Sequence, residues 1–364
     1  MLNFISKTLL YDTVRSLLRE IKVRGIGLFL LAFILVGLLL ETYNFLRAVT
    51  PTGKFDSELG WLNPQGRFQV GETSYTINSA GFRMRESNSK KPKILVLGDS
   101  IGLGLGVNDG NVFTDYLEHE IPGYQVLNFS VNGYGIGQYF LMLKRAIEKN
   151  VAKLIVVVIC TGNDIRNTIT SENYGLNKPL FFANNGQLEF VDVNISRFSC
   201  HNMFSYSWFL KRKSFKYMKK NCVKKILGDE QTNEVIFQLL NRIEALGKQN
   251  GVKTLFVLSP SKSNFDEKKS FLERLKMEKK KDPENYHKPV VTSSEFYFKT
   301  SMKFFRDGFK KSNLIYLDLL NENEIERINP EELFIDHYHY SVEGHKFLAA
   351  KIKDFILQRN LLGS

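Results

Sequence analysis

The stretch that decides the fold is KILVLGDSIGLGLGVNDG, residues 93–110. A short apolar run, Ile94 to Leu97, breaks into glycines. Two chemistries place glycines directly after a strand: one cradles a nucleotide phosphate, the other presents a serine nucleophile. Gly102, Gly104 and Gly106 read G-x-G-x-G, not G-x-G-x-x-G, and no acidic residue follows at the end of a second strand at the required distance. The Gly-Lys-Ser/Thr of a phosphate loop is absent as well. The serine reading starts from Gly98, Asp99 and Ser100, directly after the strand. A serine at a strand-to-helix turn lies near free backbone N–H groups and the positive end of a helix, which suits a forming anion. The pattern differs from the G-x-S-x-G elbow, because Gly98 stands two residues before Ser100.

Outward from this stretch, apolar runs alternate with helical ones. After KILVLGD, VFTDYLEHEI reads as a helix, YQVLNFS as a strand and GQYFLMLKRAIEKN as a helix. KLIVVVICTG has the unbroken apolar character of a strand buried on both faces. Residues 233–250 read as a helix, KTLFVLSP and NLIYLDL as strands, and VEGHKFLAAKIKDFILQR as a closing helix. The alternation predicts an α/β fold with a parallel sheet covered on both sides. Residues 51–92 are polar and turn-rich, with YTINSAGFR as a strand and turn. Two segments, 165–232 and 261–312, interrupt the pattern as insertions. The first holds a hairpin turning at Asn184, Asn185 and Gly186, then the basic run KRKSFKYMKKNCVKK with interleaved aromatics. The second is charged and irregular.

Composition bounds the partners. The 364 residues are 43% hydrophobic and 24% charged, which excludes wholesale disorder. The formal net charge of +12 favours anionic partners without choosing among them. The run GIGLFLLAFILVGLLL, Gly25 to Leu40, carries no charge and is followed by Tyr43, Asn44, Phe45 and Leu46. It approaches the roughly 20 apolar residues of a membrane span, and Lys7, Arg15, Arg19, Lys22 and Arg24 precede it. The positive flank predicts a cytoplasmic N-terminus and an exported remainder. A cleaved signal peptide is disfavoured by the long preceding segment and by the lack of an A-x-A-like site after Leu40. An exported domain rarely meets nucleic acid, so the basic run reads as a solvated face or as a contact for anionic lipid or acidic polysaccharide. Cys160 ends an apolar run and reads as a buried thiol. Cys200 and Cys222 can pair if exported, and no cysteine spacing resembles a zinc site.

Three further places join Ser100. NFSVNGYG puts Gly133 at the turn after the second strand, where a glycine lets backbone approach a substrate oxygen. TGND puts Asn163 after the third strand, where its amide can donate to an oxyanion. DHYH carries Asp336 and His339 just before the last helix, and a carboxylate three residues from a histidine can orient its ring while the histidine takes a serine proton. Each is weak alone, and together, in this order, they are specific. His337 reads as a neighbour of the site and His345 as support for the last helix. Asp99 and Asp164 read as supporting hydrogen-bonding groups.

This set resembles the SGNH (GDSL-type) hydrolase superfamily, with Ser100, Gly133, Asn163 and His339 at its four name-giving positions and Asp336 at its triad acid. GDSL reads GDSI here. The resemblance implies a three-layer α/β/α sandwich with a flavodoxin-like parallel sheet. It implies ester hydrolysis or acyl transfer by Ser100, Asp336 and His339, with an oxyanion hole from the Ser100 and Gly133 backbone and the Asn163 side chain. It calls for no cofactor and no metal. The expected organisation is a cytoplasmic segment 1–24, a transmembrane anchor 25–46, a linker and pre-domain segment 47–92, and a hydrolase domain 93–360. The expected substrate is an O-acyl, above all O-acetyl, group on a cell-surface or secreted polysaccharide. The alternatives are a lipid ester and a non-catalytic polysaccharide-binding module on the same scaffold. Acyl length, acceptor and oligomeric state are not legible.

Overall fold

A computed structural model of the chain describes residues 25–29, 31–39, 54–84, 90–174, 176–191, 226–265, 291–320 and 329–363. Five apolar runs form one parallel sheet: β1 (Lys93–Leu97), β2 (Gln125–Asn128), β3 (Ala152–Cys160), β4 (Lys253–Ser259) and β5 (Tyr316–Asp318). Their spatial order is β5-β4-β3-β1-β2. This is the doubly wound order 2-1-3-4-5, whose direction of winding reverses between β1 and β3. Register is set by pairs such as Val96 with Asn128 and Val156, and Val257 with Val158 and Leu317.

Side chains alternate across each strand, so the sheet feeds two cores. On one face Ile94, Val96, Val156 and Val257 meet α1 (Phe113–Glu120) and the last helix, Val342–Gln358. On the other, Leu95, Leu97, Val157 and Leu258 meet α2 (Ile136–Ile147) and α4 (Asp229–Gln249), with the short α3 (Asp164–Ile169) between them in sequence. The central β3 is buried from Leu154 to Cys160, as its unbroken apolar character predicts. Cys160 itself is a buried free thiol.

Two features differ from the sequence reading. Residues 54–84 are no mere linker. Leu59, Trp61, Ile77 and Phe82 are buried, and the segment folds as two antiparallel hairpins against the domain. The charged stretch 261–312 is not irregular throughout. It contains α5 (Val291–Lys310), which sends Met302, Phe305 and Phe309 into the core at i, i+3 and i+7. The expected anchor is helical at residues 25–29 and 31–39, where its apolar side chains are exposed. No described helix is long and apolar enough to cross a membrane, and residues 30 and 40–46 lie outside the described residues. So do the basic run 211–225, Cys200 and Cys222.

The predicted hairpin is present: Phe181–Asn184 pairs with Gln187–Phe190 around Asn185 and Gly186, both at positive φ. Positive φ at both turn residues is what a two-residue I′ turn requires. The final helix, α6 (Val342–Gln358), begins at Ser341, whose side chain accepts from the Gly344 N–H. This serine cap fixes where the chain leaves the Asp336–His339 loop.

Candidate active site

The loops that leave the carboxyl ends of β1, β2 and β3 flank the point where the winding reverses, the usual ligand crevice of such sheets. Ser100 opens a short helix, Ser100–Leu103, immediately after β1. Asp99 precedes it and accepts the Ile101 N–H at 2.9 Å. The helix lies flat against the next loop: a Cβ on Gly102 would stand 2.2 Å from Ser130 Oγ, so only glycine permits the approach. The glycines therefore serve close packing. The carbonyls of Leu103, Gly104 and Val107 turn toward the buried Arg83 guanidinium, which donates to all three. A phosphate cradle would present N–H groups there instead.

His339 reaches Ser100 from the opposite side of the chain. Its Nε2 lies 3.0 Å from Ser100 Oγ, and its Nδ1 lies 2.7 Å from Asp336 Oδ2. The other Asp336 oxygen accepts the backbone N–H groups of Tyr338 at 2.7 Å and His339 at 2.8 Å. Burial pushes the Asp336 carboxyl upward, but the His339 ring and these two N–H groups outweigh it and hold it well below the usual carboxylate range. The ionised carboxylate takes the Nδ1 proton in a hydrogen bond, so Nε2 is left to accept from the Ser100 hydroxyl. The loop is tied to the sheet by Tyr340, whose hydroxyl meets Ser259 Oγ at 3.0 Å at the end of β4.

Asn163 lies after β3, beside Asp99 rather than pointing freely into the crevice. Its Nδ2 donates to Asp99 Oδ2 at 2.9 Å, while its Oδ1 is buried without a partner among the described residues. Asp99 is fully buried, and burial raises its carboxyl against the pull of Asn163 and Ile101. Deeper still, Asp164 accepts from the Tyr139 hydroxyl at 2.9 Å and the Cys160 N–H at 3.0 Å. Burial and then the Asp99 charge push its carboxyl well up. Both aspartates support the site from beneath.

Gly133 has φ +75, a conformation only glycine adopts without strain. Its turn is braced by residues the sequence reading missed. Trp61 Nε1 donates to the Asn132 carbonyl at 2.9 Å, Asn63 donates to the Ser130 carbonyl at 3.2 Å, and Asn173 Nδ2 donates to the Gly133 carbonyl at 2.9 Å. Nothing in local periodicity marks these residues, because each acts across a long stretch of chain.

Of the other histidines, His337 is exposed and its carbonyl accepts the Lys262 N–H at 3.0 Å. His345 is buried in the first turn of α6, its ring stacked on Phe113. Among the described residues no group of His, Cys, Asp and Glu is spaced to hold a metal ion.

No protein-family model and no curated protein matches the chain. Solved structures do. A member of the lipolytic protein G-D-S-L family from Veillonella parvula is 13% identical, with 72% of this chain and 96% of that one covered at TM-score 0.38. A psychrotrophic esterase from a Pseudoalteromonas species is 10% identical, covering 74% and 98% at TM-score 0.39. A catalytic mutant of an acetylxylan esterase from Geobacillus stearothermophilus is 13% identical, covering 73% and 94% at TM-score 0.36. Overlap this loose decides nothing by itself, and the assignment rests on the chain's own motif order, sheet order and Asp336–His339–Ser100 contacts. In these features the chain keeps the resemblance to the SGNH (GDSL-type) hydrolases that its motifs carry.

Proposed function

We propose that this chain is a membrane-anchored serine esterase or acyltransferase that removes or transfers small O-acyl groups, above all O-acetyl, on a cell-surface or secreted polysaccharide. The observation that carries the catalytic part is the unbroken line of contacts from Asp336 through His339 to Ser100, at 2.7 and 3.0 Å. Ser100 Oγ attacks the ester carbonyl as its proton passes to His339 Nε2. The charge that forms on the carbonyl oxygen is met by backbone N–H groups of Ser100 and Gly133 and by the Asn163 amide. Collapse breaks the bond to the alcohol, which leaves with the proton from His339 and frees an acyl-serine. Water, or the hydroxyl of an acceptor sugar, then gives its proton to His339 and attacks the acyl carbon. Ser100 departs and recovers the proton. Hydrolysis and transfer thus share one intermediate and differ in what attacks it.

The apolar stretch from residue 25 and the basic residues before it support a single span with the catalytic domain outside the cytoplasm. The exported side and the cationic chain favour a surface glycan as the alcohol.

The test uses the full chain in detergent, with release of p-nitrophenol from acetyl, butyryl and longer esters and Ser100→Ala as control. Ser100-dependent turnover concentrated on acetate, followed by acetate release from an acetylated glycan, is the expected result. Turnover that rises with chain length would replace the glycan with a lipid ester. Loss of Ser100 without effect on glycan binding, and no ester turnover, would leave a binding module.

A further inference from the structure

Tyr174 lies at the tip of a tight hairpin in which Glu172 pairs with Asn177 and Asn173 with Leu176. Tyr174, the first of the two turn residues, has φ +52. An L side chain rarely adopts this conformation, and Asn or Gly is the usual choice. The same chain meets the same demand at Asn185, φ +48, with asparagine. The backbone therefore does not call for tyrosine at 174, and a strained residue held by its surroundings points to function.

The surroundings hold it over the Gly133 turn. The Tyr174 hydroxyl donates to Asn132 Oδ1 at 3.2 Å, and its ring meets Trp61 edge-on at 6.3 Å. Its Cε2 lies 2.3 Å from where a Gly133 Cβ would stand. The ring thus occupies the space that a side chain at 133 would fill. Half of Tyr174 remains exposed, so the ring forms a wall open to solvent. The ring stands against Gly133, a residue of the proposed oxyanion hole; burial chiefly raises its phenol, the Asp99 charge adds to this and Arg166 opposes it.

We infer that Tyr174 is a specificity-determining residue, whose ring walls the space beside Gly133 and confines the acyl group of the substrate to acetyl size. The inference rests on the proposed esterase reading. An ester whose carbonyl oxygen approaches Gly133 brings its acyl carbon chain against the ring, and each further methylene must displace it or turn into solvent.

The experiment compares kcat/KM on p-nitrophenyl acetate, butyrate and octanoate for the full chain, Tyr174→Gly, Tyr174→Phe and Ser100→Ala. Glycine suits the positive φ, so Tyr174→Gly removes the ring without straining the turn, and a thermal melt at or above the parent's checks that the fold is kept. The expected result is that Tyr174→Gly lowers the acetate-to-octanoate ratio tenfold or more, while Tyr174→Phe, which keeps the ring, holds the parent ratio. A ratio within twofold of the parent in Tyr174→Gly, with Ser100-dependent acetate turnover intact, overturns the inference alone. So does a gain confined to a series that varies the alcohol instead of the acyl group. Turnover equal in Ser100→Ala and the parent overturns the esterase reading and the inference together.

Discussion

Replacing Asp336 with asparagine separates the tautomer argument from every other feature of the site. The carboxylate now accepts three N–H groups, two backbone ones on Oδ1 and the His339 ring on Oδ2. An amide has one acceptor oxygen. If that oxygen keeps Tyr338 and His339 N–H, its NH₂ faces His339 Nδ1, which must give up its proton. The ring proton then sits on Nε2, 3.0 Å from Ser100 Oγ, where an acceptor is needed. The flipped amide would instead set NH₂ against two backbone donors, at about 1–3 kcal/mol for each one left unpaired. The first arrangement wins, and the base is disabled with its geometry intact. The expected loss in kcat is about 10⁴-fold, or ~5.5 kcal/mol of transition-state stabilisation, with KM little changed because Asp336 does not touch substrate. The assay is Ser100-dependent p-nitrophenyl acetate hydrolysis, alongside a melt. Asp336 is half exposed, so the melt should shift only slightly. Because its folded carboxyl is held low, whatever stability it adds is present above the ordinary carboxylate range and fades as pH falls below it. Activity of Asp336→Asn within tenfold of the parent would refute the assignment of Asp336 as the group that sets the His339 tautomer.

Three other outcomes are expected. Asn163→Ala should lower kcat by about 10²–10³ through loss of an oxyanion donor, and should also lower the melting temperature, because the buried Asp99 loses the donor at 2.9 Å; an unchanged kcat would remove Asn163 from the oxyanion hole. Arg83→Ala strands the Leu103, Gly104 and Val107 carbonyls behind the nucleophile helix. It should cost about 1–3 kcal/mol in urea unfolding for each carbonyl left unpaired, and a total cost under about 1 kcal/mol would contradict the bracing role. His345 is held neutral by burial, with its pKa lowered to about 3 and the nearby Arg83 and His339 charges adding to the effect. Its folded value is depressed, so the stability it contributes is full above the unfolded value of ~6.5 and is lost as pH falls toward 3, on the order of 5 kcal/mol in all. Urea midpoints at pH 7 and pH 4 should therefore diverge in the parent and converge in His345→Gln.

Much of this protein was legible in local pattern. The unbroken apolar run of β3, the I′ turn at Asn185 and Gly186, and the strand-helix alternation each follow from neighbours a few residues apart. So did the candidate site residues, since each motif sits directly after its own strand or before its own cap. The helix over 291–310 escaped, although Met302, Phe305 and Phe309 keep helical spacing, because the charged stretch before it masked the period. The role of residues 54–84 escaped for a deeper reason. Trp61 and Arg83 act on loops 71 and about 20 residues away, and no local rule reports such pairings.

Order along the chain thus determined which residue types stand at the sheet's carboxyl edge, because a strand delivers the residue that follows it to that edge whatever the rest does. Only the tertiary structure decided how they meet. It placed His339 on Ser100 across 239 residues, turned the Asn163 amide onto Asp99, and seated Tyr174 over Gly133. Those contacts depend on which loops the open sheet brings into one crevice, and that is settled by burial of two cores at once, a property of the whole chain and of no segment of it.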